Sequence, residues 1–457
     1  MHHHRHPVTD ITVALEGLDR LLDKTAIFSA LSSLLKQTKS LSDGKIVHAY
    51  IRKYRYDRTT YLGNWLVQMY GDCGSVADAR AAFHNLRNAN LYSWTILMKA
   101  YIKNGCGREG LDCFQQMQLK GLKPDHVAFI CALDACAIVG AFEEAKQIHS
   151  DIVDRCFEGQ VTVGTALVNM YGKCGSLQDA KAVFGRMPHR NVVTWTAMMT
   201  AYVQNGQGME ALNLFDQMQI DGIYPNQITF LCAIDACASL AALETGRMIH
   251  NAVVDRGHSE QVVIGNALVN MYGKCGSVQD AKDVFDRMPA RNVVSWSAMI
   301  AASAQNGHAR EALDLFDQML REGLKPNHVT FLSILTACRH MGHVDAGWHY
   351  FDSMSQDHGI PRTVEHYVCL IDLLGRAGQL DDAEELINSM PFSNDPRGWL
   401  CLLGACKFHG DMERGVRAAN KVFELDPTNS APYVLLSDIY ATVGMYTNPL
   451  KARGSEQ

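Results

Sequence analysis

At 457 residues the chain is too long for one ordinary compact core, so it is either several domains or one elongated repeat array. Hydrophobic residues make up 47% and charged residues 20%, and no apolar run reaches the roughly 18 residues of a membrane span, which argues against a transmembrane protein. A formal net charge of -6 argues against a chain that grips nucleic acid by bulk electrostatics, so any contact with a polyanion must come from a locally organised face.

In chain order, the opening MHHHRH is followed by Asp10, Glu16, Asp19 and Asp23, which is unlike an acid-poor transit peptide. Residues 1–24 read as an N-terminal cap or degenerate repeat, with ITVALEGLDRLL as its second helix. Internal repetition then organises the chain. ALVNMYGKCGS occurs at 166–176 and, unchanged, at 267–277, and NWLVQMYGDCGS at 64–75 is a diverged copy, each offset by 101 residues. Every 101-residue unit holds segments of about 35, 31 and 35 residues, and each segment reads as one helical hairpin. In 192–226 the helix VVTWTAMMTAYVQ stops at Asn205-Gly206. The second helix carries Ala211, Leu214, Phe215 and Met218 on one face and ends at Gly222 and Pro225. Such a pair cannot bury its apolar face alone, so neighbours must stack. The expected fold is an all-α, right-handed superhelical α-solenoid of stacked helix-turn-helix repeats.

Fourteen cysteines include no C-x-x-C pair, and most return at fixed repeat positions, such as Cys73, Cys174 and Cys275, or Cys136, Cys237 and Cys338. They read as small buried helix residues. His48, His149 and His250 recur at the same 101-residue spacing, in different repeats, too far apart to share a metal ion. No cofactor, metal or small-molecule substrate is expected.

Segments such as VVSWSAMIAASAQNGHAREALDLFDQMLREGLKPN (293–327) resemble pentatricopeptide repeats, and the alternation of 35 and 31 residues resembles the plant subclass with long and short variants. The resemblance gives an array over 25–395, starting 25–59, 60–90 and 91–125, repeating that triplet twice to 327, and closing with 328–363 and 364–395. Residues 396–441 resemble the tetratricopeptide-like extension motif of organelle RNA-editing factors, after which the likeness is read as lost in an irregular tail, 442–457. The deaminase motifs H-x-E and P-C-x-x-C are missing, so the chain is not expected to be an enzyme.

The family implies that the fifth and last residues of a repeat read one base of single-stranded RNA. Carried over, the pairs are Asn64 with Asn90, Thr95 with Asp125, Thr165 with Asn191, Thr196 with Asn226, Asn266 with Asn292, and Ser297 with Asn327. The long repeats carry Ile130 with Gln160 and Leu231 with Gln261, which discriminate little. By the family's pattern the target reads Y-G-N-A-A-N-Y-A. Thr, Ser and Asn near a helix start also serve as plain caps. The second residue of each repeat is implied to wedge between bases: Tyr61, Tyr92, Val127, Thr162, Val193, Ile228, Val263, Val294 and Val329, for which core packing explains the valines equally well. Lys103, Lys173, Lys274 and Arg376, at the thirteenth position, are candidates for phosphate contact, in a series broken by Asp72, Gln204 and Gln305.

The implied function is site recognition for organelle C-to-U editing, with a deaminase-bearing partner docking on 396–441, in a mitochondrion or chloroplast. The alternatives are a role in RNA stability, splicing or translation, or a protein-interaction scaffold.

Overall fold

The computed structural model describes Leu15, residues 23–392 and residues 394–442. The N-terminal cap and the C-terminal tail read from the sequence therefore lie outside the described residues, apart from Leu15 and their inner edges. Among the described residues every regular element is an α-helix. The first hairpins are α1 (Lys24–Gln37) with α2 (Leu41–Lys53), α3 (Thr60–Asp72) with α4 (Val76–His84), and α5 (Leu91–Lys103) with α6 (Gly107–Leu119). Next come α7 (His126–Val139) with α8 (Phe142–Asp154), α9 (Val161–Lys173) with α10 (Leu177–Arg186), and α11 (Val192–Gln204) with α12 (Gly208–Ile220). Then follow α13 (Gln227–Leu240) with α14 (Leu243–Asp255), α15 (Val262–Lys274) with α16 (Val278–Arg287), and α17 (Val293–Gln305) with α18 (Ala309–Arg321). The remainder is α19 (His328–Met341) with α20 (Val344–Gln356), α21 (Val364–Arg376) with α22 (Leu380–Ser389), and finally α23 (Arg397–His409), α24 (Met412–Leu425) and α25 (Ala431–Thr442). The chain forms two compact units that divide at Cys232/Ala233, inside α13.

Within each unit the first helices of successive hairpins meet at backbone distance. In the first unit, a Cβ placed on Gly71 or Gly172 would fall 2.4 Å from the Cβ of Ala100 or Ala201. The second unit repeats this at Gly273 and Ala302 (2.6 Å) and at Gly375 and Ala405 (2.7 Å). Only glycine permits that approach. An asparagine four residues beyond Ala100, Ala201 and Ala302 then bridges the seam. Nδ2 of Asn104, Asn205 and Asn306 donates to the carbonyls of Gly71, Gly172 and Gly273 at 2.8–2.9 Å and to its own helix's alanine carbonyl at 2.7–2.8 Å. These asparagines are also the residues at which the helices stop, each followed by a glycine in the left-handed region.

Second helices pack on the far side of the first through aromatic pairs. Phe83, Phe184 and Phe285 meet Trp94, Trp195 and Trp296 edge-on, with centroids 4.7–5.0 Å apart. Arg190 and Arg291 lie over the Phe184 and Phe285 rings at 4.7 and 4.6 Å, and their Nε donates to those residues' carbonyls. In α12 the buried stripe is Ala211, Leu212, Phe215 and Met218; Leu214, assigned to the core from the sequence, is only half-buried because Leu212 turns inward in its place. In α18 the counterparts 101 residues later, Ala312, Leu315, Phe316 and Met319, are all buried. The cysteines split similarly: Cys136, Cys237 and Cys338 are buried inside helices, but Cys73, Cys174 and Cys275 are half-buried residues just past a helix end. That corrects the reading of them as buried helix residues.

The recurrent histidines are structural. Nδ1 of His48, His149 and His250 is hydrogen-bonded to the hydroxyl of Tyr70, Tyr171 and Tyr272, 2.7–2.9 Å away on the next hairpin. Burial lowers all three imidazoles below their ordinary 6.5 and pushes the three phenols up to about 12. Burial likewise lowers His366, which is held between Thr363 and the His328 carbonyl.

Two outcomes follow. Gly172→Ala should cost about 1–3 kcal/mol by overpacking against Ala201, whereas Gly185→Ala, where nothing lies within 4 Å of the new Cβ in α10, should be neutral or stabilising by up to about 1 kcal/mol; urea denaturation of both variants checks this. For the histidines, the unfolded chain takes up protons near 6.5 and the folded chain only below that. The stability of the neutral, buried imidazoles is thus fully present above about pH 6.5 and is lost as pH falls through the lowered folded values. The denaturation midpoint should drop between about pH 7 and 5, and less steeply in the triple variant His48→Gln, His149→Gln, His250→Gln.

Candidate nucleic-acid interface

The first helices carry an unusual row of exposed apolar side chains. Tyr61, Tyr92, Val193, Ile228, Val263, Val294 and Val329, each the second residue of a repeat, are 42–62% exposed, Thr162 is also exposed, and Val127 is partly so. Core packing, which the sequence left as an equal explanation of the valines, is thereby excluded for the exposed positions. An apolar side chain held in solvent at a regular repeat position is suited to contact a flat ligand face.

Three residues further along lie the fifth positions. Asn64, Thr95, Thr165, Thr196 and Ser297 are 4–8% exposed, and Asn266 somewhat more. The threonine hydroxyls donate to the carbonyl one turn back, as in Thr95 to Leu91 at 2.8 Å, Thr165 to Val161 at 2.7 Å and Thr196 to Val192 at 2.7 Å. Both asparagines behave differently: Oδ1 of Asn64 and of Asn266 is buried without a hydrogen-bond partner, which is costly in a protein left alone.

The last residues are helix caps. Oδ1 of Asn90, Asp125, Asn191, Asn226, Asn292 and Asn327 accepts the backbone N–H three residues on, at 2.8–3.1 Å. Each cap uses one side-chain oxygen and leaves the other end of the side chain, Nδ2 in asparagine and Oδ2 in Asp125, outside the cap. Capping and ligand contact are therefore compatible, being served by different atoms of one side chain.

A hydroxyl that sequence reasoning missed joins the two positions. Thr229 Oγ1 donates to Asn226 Oδ1 at 3.0 Å and receives the Asn226 N–H, while Thr196 Oγ1 stands 2.8 Å away. Since the Thr229 proton points at Asn226, the Thr196 proton goes to Thr229 or to Val192, and only lone pairs of Thr196 remain for a ligand. The same relay runs from Thr165 through Thr194 to Asn191 and from Ser297 through Thr330 to Asn327. Its signal was legible as a capping box, Asn-x-x-Thr, across the boundaries at Asn191, Asn226 and Asn327. Repeat 91–125 lacks it because Ala128 stands where the hydroxyl would be.

Two neighbouring clefts in the first unit gather these groups. One, of about 760 Å³, is lined by Tyr92, Thr95, Lys103, Asp125 and Val127, so the proposed reading pair lies between the two proposed wedges. The other, of about 360 Å³, is lined by Tyr61, Asn64, Asn90 and Tyr92. Gln68 and Ile96 line both and were not singled out from the sequence.

The thirteenth-position cations are less free than expected. Lys103 is ion-paired with Asp72 at 2.6 Å, and Arg376 with Asp372 at 3.0 Å. Lys173 faces the half-buried Asp134, whose carboxyl burial raises above the usual range, the lysine opposing the rise. Lys274 stands in the same relation to Asp235. A phosphate at Lys103 or Arg376 would therefore compete with a carboxylate already in ion-pair contact.

This helical-hairpin solenoid presents on its first helices, repeat after repeat, a polar residue beside a capped polar residue and an exposed second residue. Family models match it as the PPR repeat family over 89–138, 190–239 and 291–340, as the PPR repeat over 165–192, 266–293 and 365–394, and as the E motif over 409–453. The E-motif match runs past Ala441, where the sequence reading ended the likeness. The pentatricopeptide repeat-containing protein CRR2, chloroplastic, of Arabidopsis thaliana is 40% identical over 89% of this chain and 63% of that protein. A pentatricopeptide repeat-containing protein of Arabidopsis thaliana named as mitochondrial is 37% identical over 89% of this chain and 73% of its own length. The chain belongs to the pentatricopeptide-repeat family, in the subclass that alternates long and short repeats and adds an E motif. It spans 52–63% of the length of the first several curated relatives it matches. Among solved structures, the pentatricopeptide repeat protein PPR10 in complex with an 18-nt psaJ RNA element superposes with a TM-score of 0.72 at 17% identity, over 96% of this chain and 64% of that one.

The division of labour within one side chain is testable. Asn226→Ala should lose about 1 kcal/mol of stability through the cap, whereas Asn226→Asp, which keeps an acceptor oxygen, should lose little; chemical denaturation of the two variants separates capping from any ligand effect.

Proposed function

We propose that this chain binds single-stranded RNA in a sequence-specific way, one base per repeat. The observation that carries the reading is the placement of Thr95 and Asp125 in one cleft between Tyr92 and Val127. Its donor and acceptor pattern is matched by particular bases. With its proton given to Leu91, Thr95 offers lone pairs, and Asp125 offers a carboxylate oxygen; two acceptors suit guanine, whose Watson–Crick edge carries two adjacent N–H donors. Thr196 offers an acceptor and Asn226 the donor Nδ2, which suits adenine, with its amino group beside a bare ring nitrogen. The pairs Asn64 with Asn90 and Asn266 with Asn292 offer both an orphaned acceptor and donors, which suits a pyrimidine. The proposed target is Y-G-N-A-A-N-Y-A, read along the chain.

The finer reading is recognition of an organelle C-to-U editing site, with the deaminase supplied by a partner that docks on 396–441. The E-motif match supports it, as do relatives named chloroplastic and mitochondrial. Occupancy of RNA without editing is the second reading, favoured by the superposition on PPR10, a pentatricopeptide repeat protein in complex with an 18-nt RNA element.

A gel-shift competition at fixed salt tests the base reading. RNA carrying YGNAANYA should outcompete RNA in which the G and the central A residues are pyrimidines, and Thr95→Asn should shift preference at the second position from G toward a pyrimidine by about 1–3 kcal/mol. Equal binding of both RNAs to the unaltered protein would sink the proposed pairs.

A further inference from the structure

The helix α23, which leads into the E-motif match at 409, is in register with the repeats that precede it. A Cβ on Gly375 would fall 2.7 Å from that of Ala405, repeating the seam of Gly71 with Ala100, and His409 Nε2 lies 2.8 Å from the Gly375 carbonyl, where Asn104 binds that of Gly71. With Pro396 therefore as first residue, Leu400 stands at the fifth position and Phe408 at the thirteenth, where four other repeats carry Lys103, Lys173, Lys274 and Arg376.

This register gives meaning to a cleft of about 500 Å³ between α21 and α23. Its walls from α21 are Asp372, Gly375 and Arg376, the counterparts of Gln68, Gly71 and Asp72 in the cleft of repeat 91–125. From α23 come Leu400, Cys401, Gly404, Ala405 and Phe408, the counterparts of Thr95, Ile96, Lys99, Ala100 and Lys103. The two clefts thus use the same backbone positions and differ in chemistry. Leu400 has no hydrogen-bonding group at the reading position. Burial pushes the Cys401 thiol up to about 11, so it is a neutral apolar wall. Gly404 leaves space where Lys99 fills it, and Phe408 is 81% exposed at the rim. Glu365 and Arg397, at the second positions, are ion-paired at 3.1 Å, so no apolar wedge stands there and the stacking surface comes from Phe408 instead.

We propose that this cleft is a further nucleotide site, which takes the residue 3′ to the one facing repeat 364–395 by stacking its base on Phe408, without selecting among bases. The proposal rests on the RNA reading above. Charge also favours a nucleotide over a basic peptide: Arg339 and Arg376 both reach the single carboxylate of Asp372, at 3.3 and 3.0 Å, leaving one net positive charge beside the cleft for a phosphate.

The test uses the full chain and fluorescence anisotropy with two RNAs that carry YGNAANYA and extend to this site. One has a base there and the other an abasic ribose. The base-bearing RNA should bind roughly fivefold or more tightly, whichever base is used, as expected of base–aromatic stacking. Phe408→Ala should abolish the difference, Phe408→Tyr should keep it, and both should retain the preference for G at the Thr95 position. Equal binding of the two RNAs by the unaltered protein, or a difference that survives Phe408→Ala, would overturn this site while leaving the base-reading repeats standing. Failure to bind either RNA would overturn both.

Discussion

The glycine–alanine seam between successive first helices governs what the rest of the structure can do. Where Gly71 meets Ala100 or Gly172 meets Ala201, no side chain is long enough to adjust the spacing, so the separation of neighbouring repeats is set by backbone contact and locked by the asparagine bridge. Side chains further up the same helices, the exposed second residues and the fifth residues, inherit that spacing. Their regularity is a property of the seam. A repeat whose bridging residue changes from asparagine to histidine, as at His409, keeps the contact because the imidazole reaches the same carbonyl. The helix α23 is joined to the array by the same device as repeats 91–125, 192–226 and 293–327.

Much of this was legible in the sequence because its signals were local or periodic. Helix ends at Asn205-Gly206 and the hairpin lengths follow from capping residues and the 101-residue repeat. The failures came from contacts that join different helices. Nothing local shows that Lys103 is paired with Asp72, because the partners sit 31 residues apart on adjacent hairpins. The His48–Tyr70 bond, likewise across two hairpins, was invisible, although excluding a shared metal needed only the spacing. Valine at the second position reads as core in any hydrophobicity pattern. Its exposure emerges only when the seam shows which face of the first helix is already occupied.

The paired cations and the acidic total describe a surface that does not attract polyanions indiscriminately. Lys103 has Asp72 to itself while Arg376 shares Asp372 with Arg339, so in the proposed RNA reading a phosphate competes with an existing partner at Lys103 and affinity there depends on the base-facing groups more than on charge.

The double use of the last residue, capping one helix while facing the cleft of another, constrains how such a protein can change. Asn226 must supply an acceptor oxygen to Thr229 whatever it meets outside, so only residues with a short polar side chain can stand there without a folding penalty. In the proposed RNA reading, the vocabulary available for recognition is written by helix termination, and a base meets only words that the fold has already approved. Evolution toward a new target can move freely between asparagine and aspartate at such a site but must cross a stability barrier to reach any larger side chain.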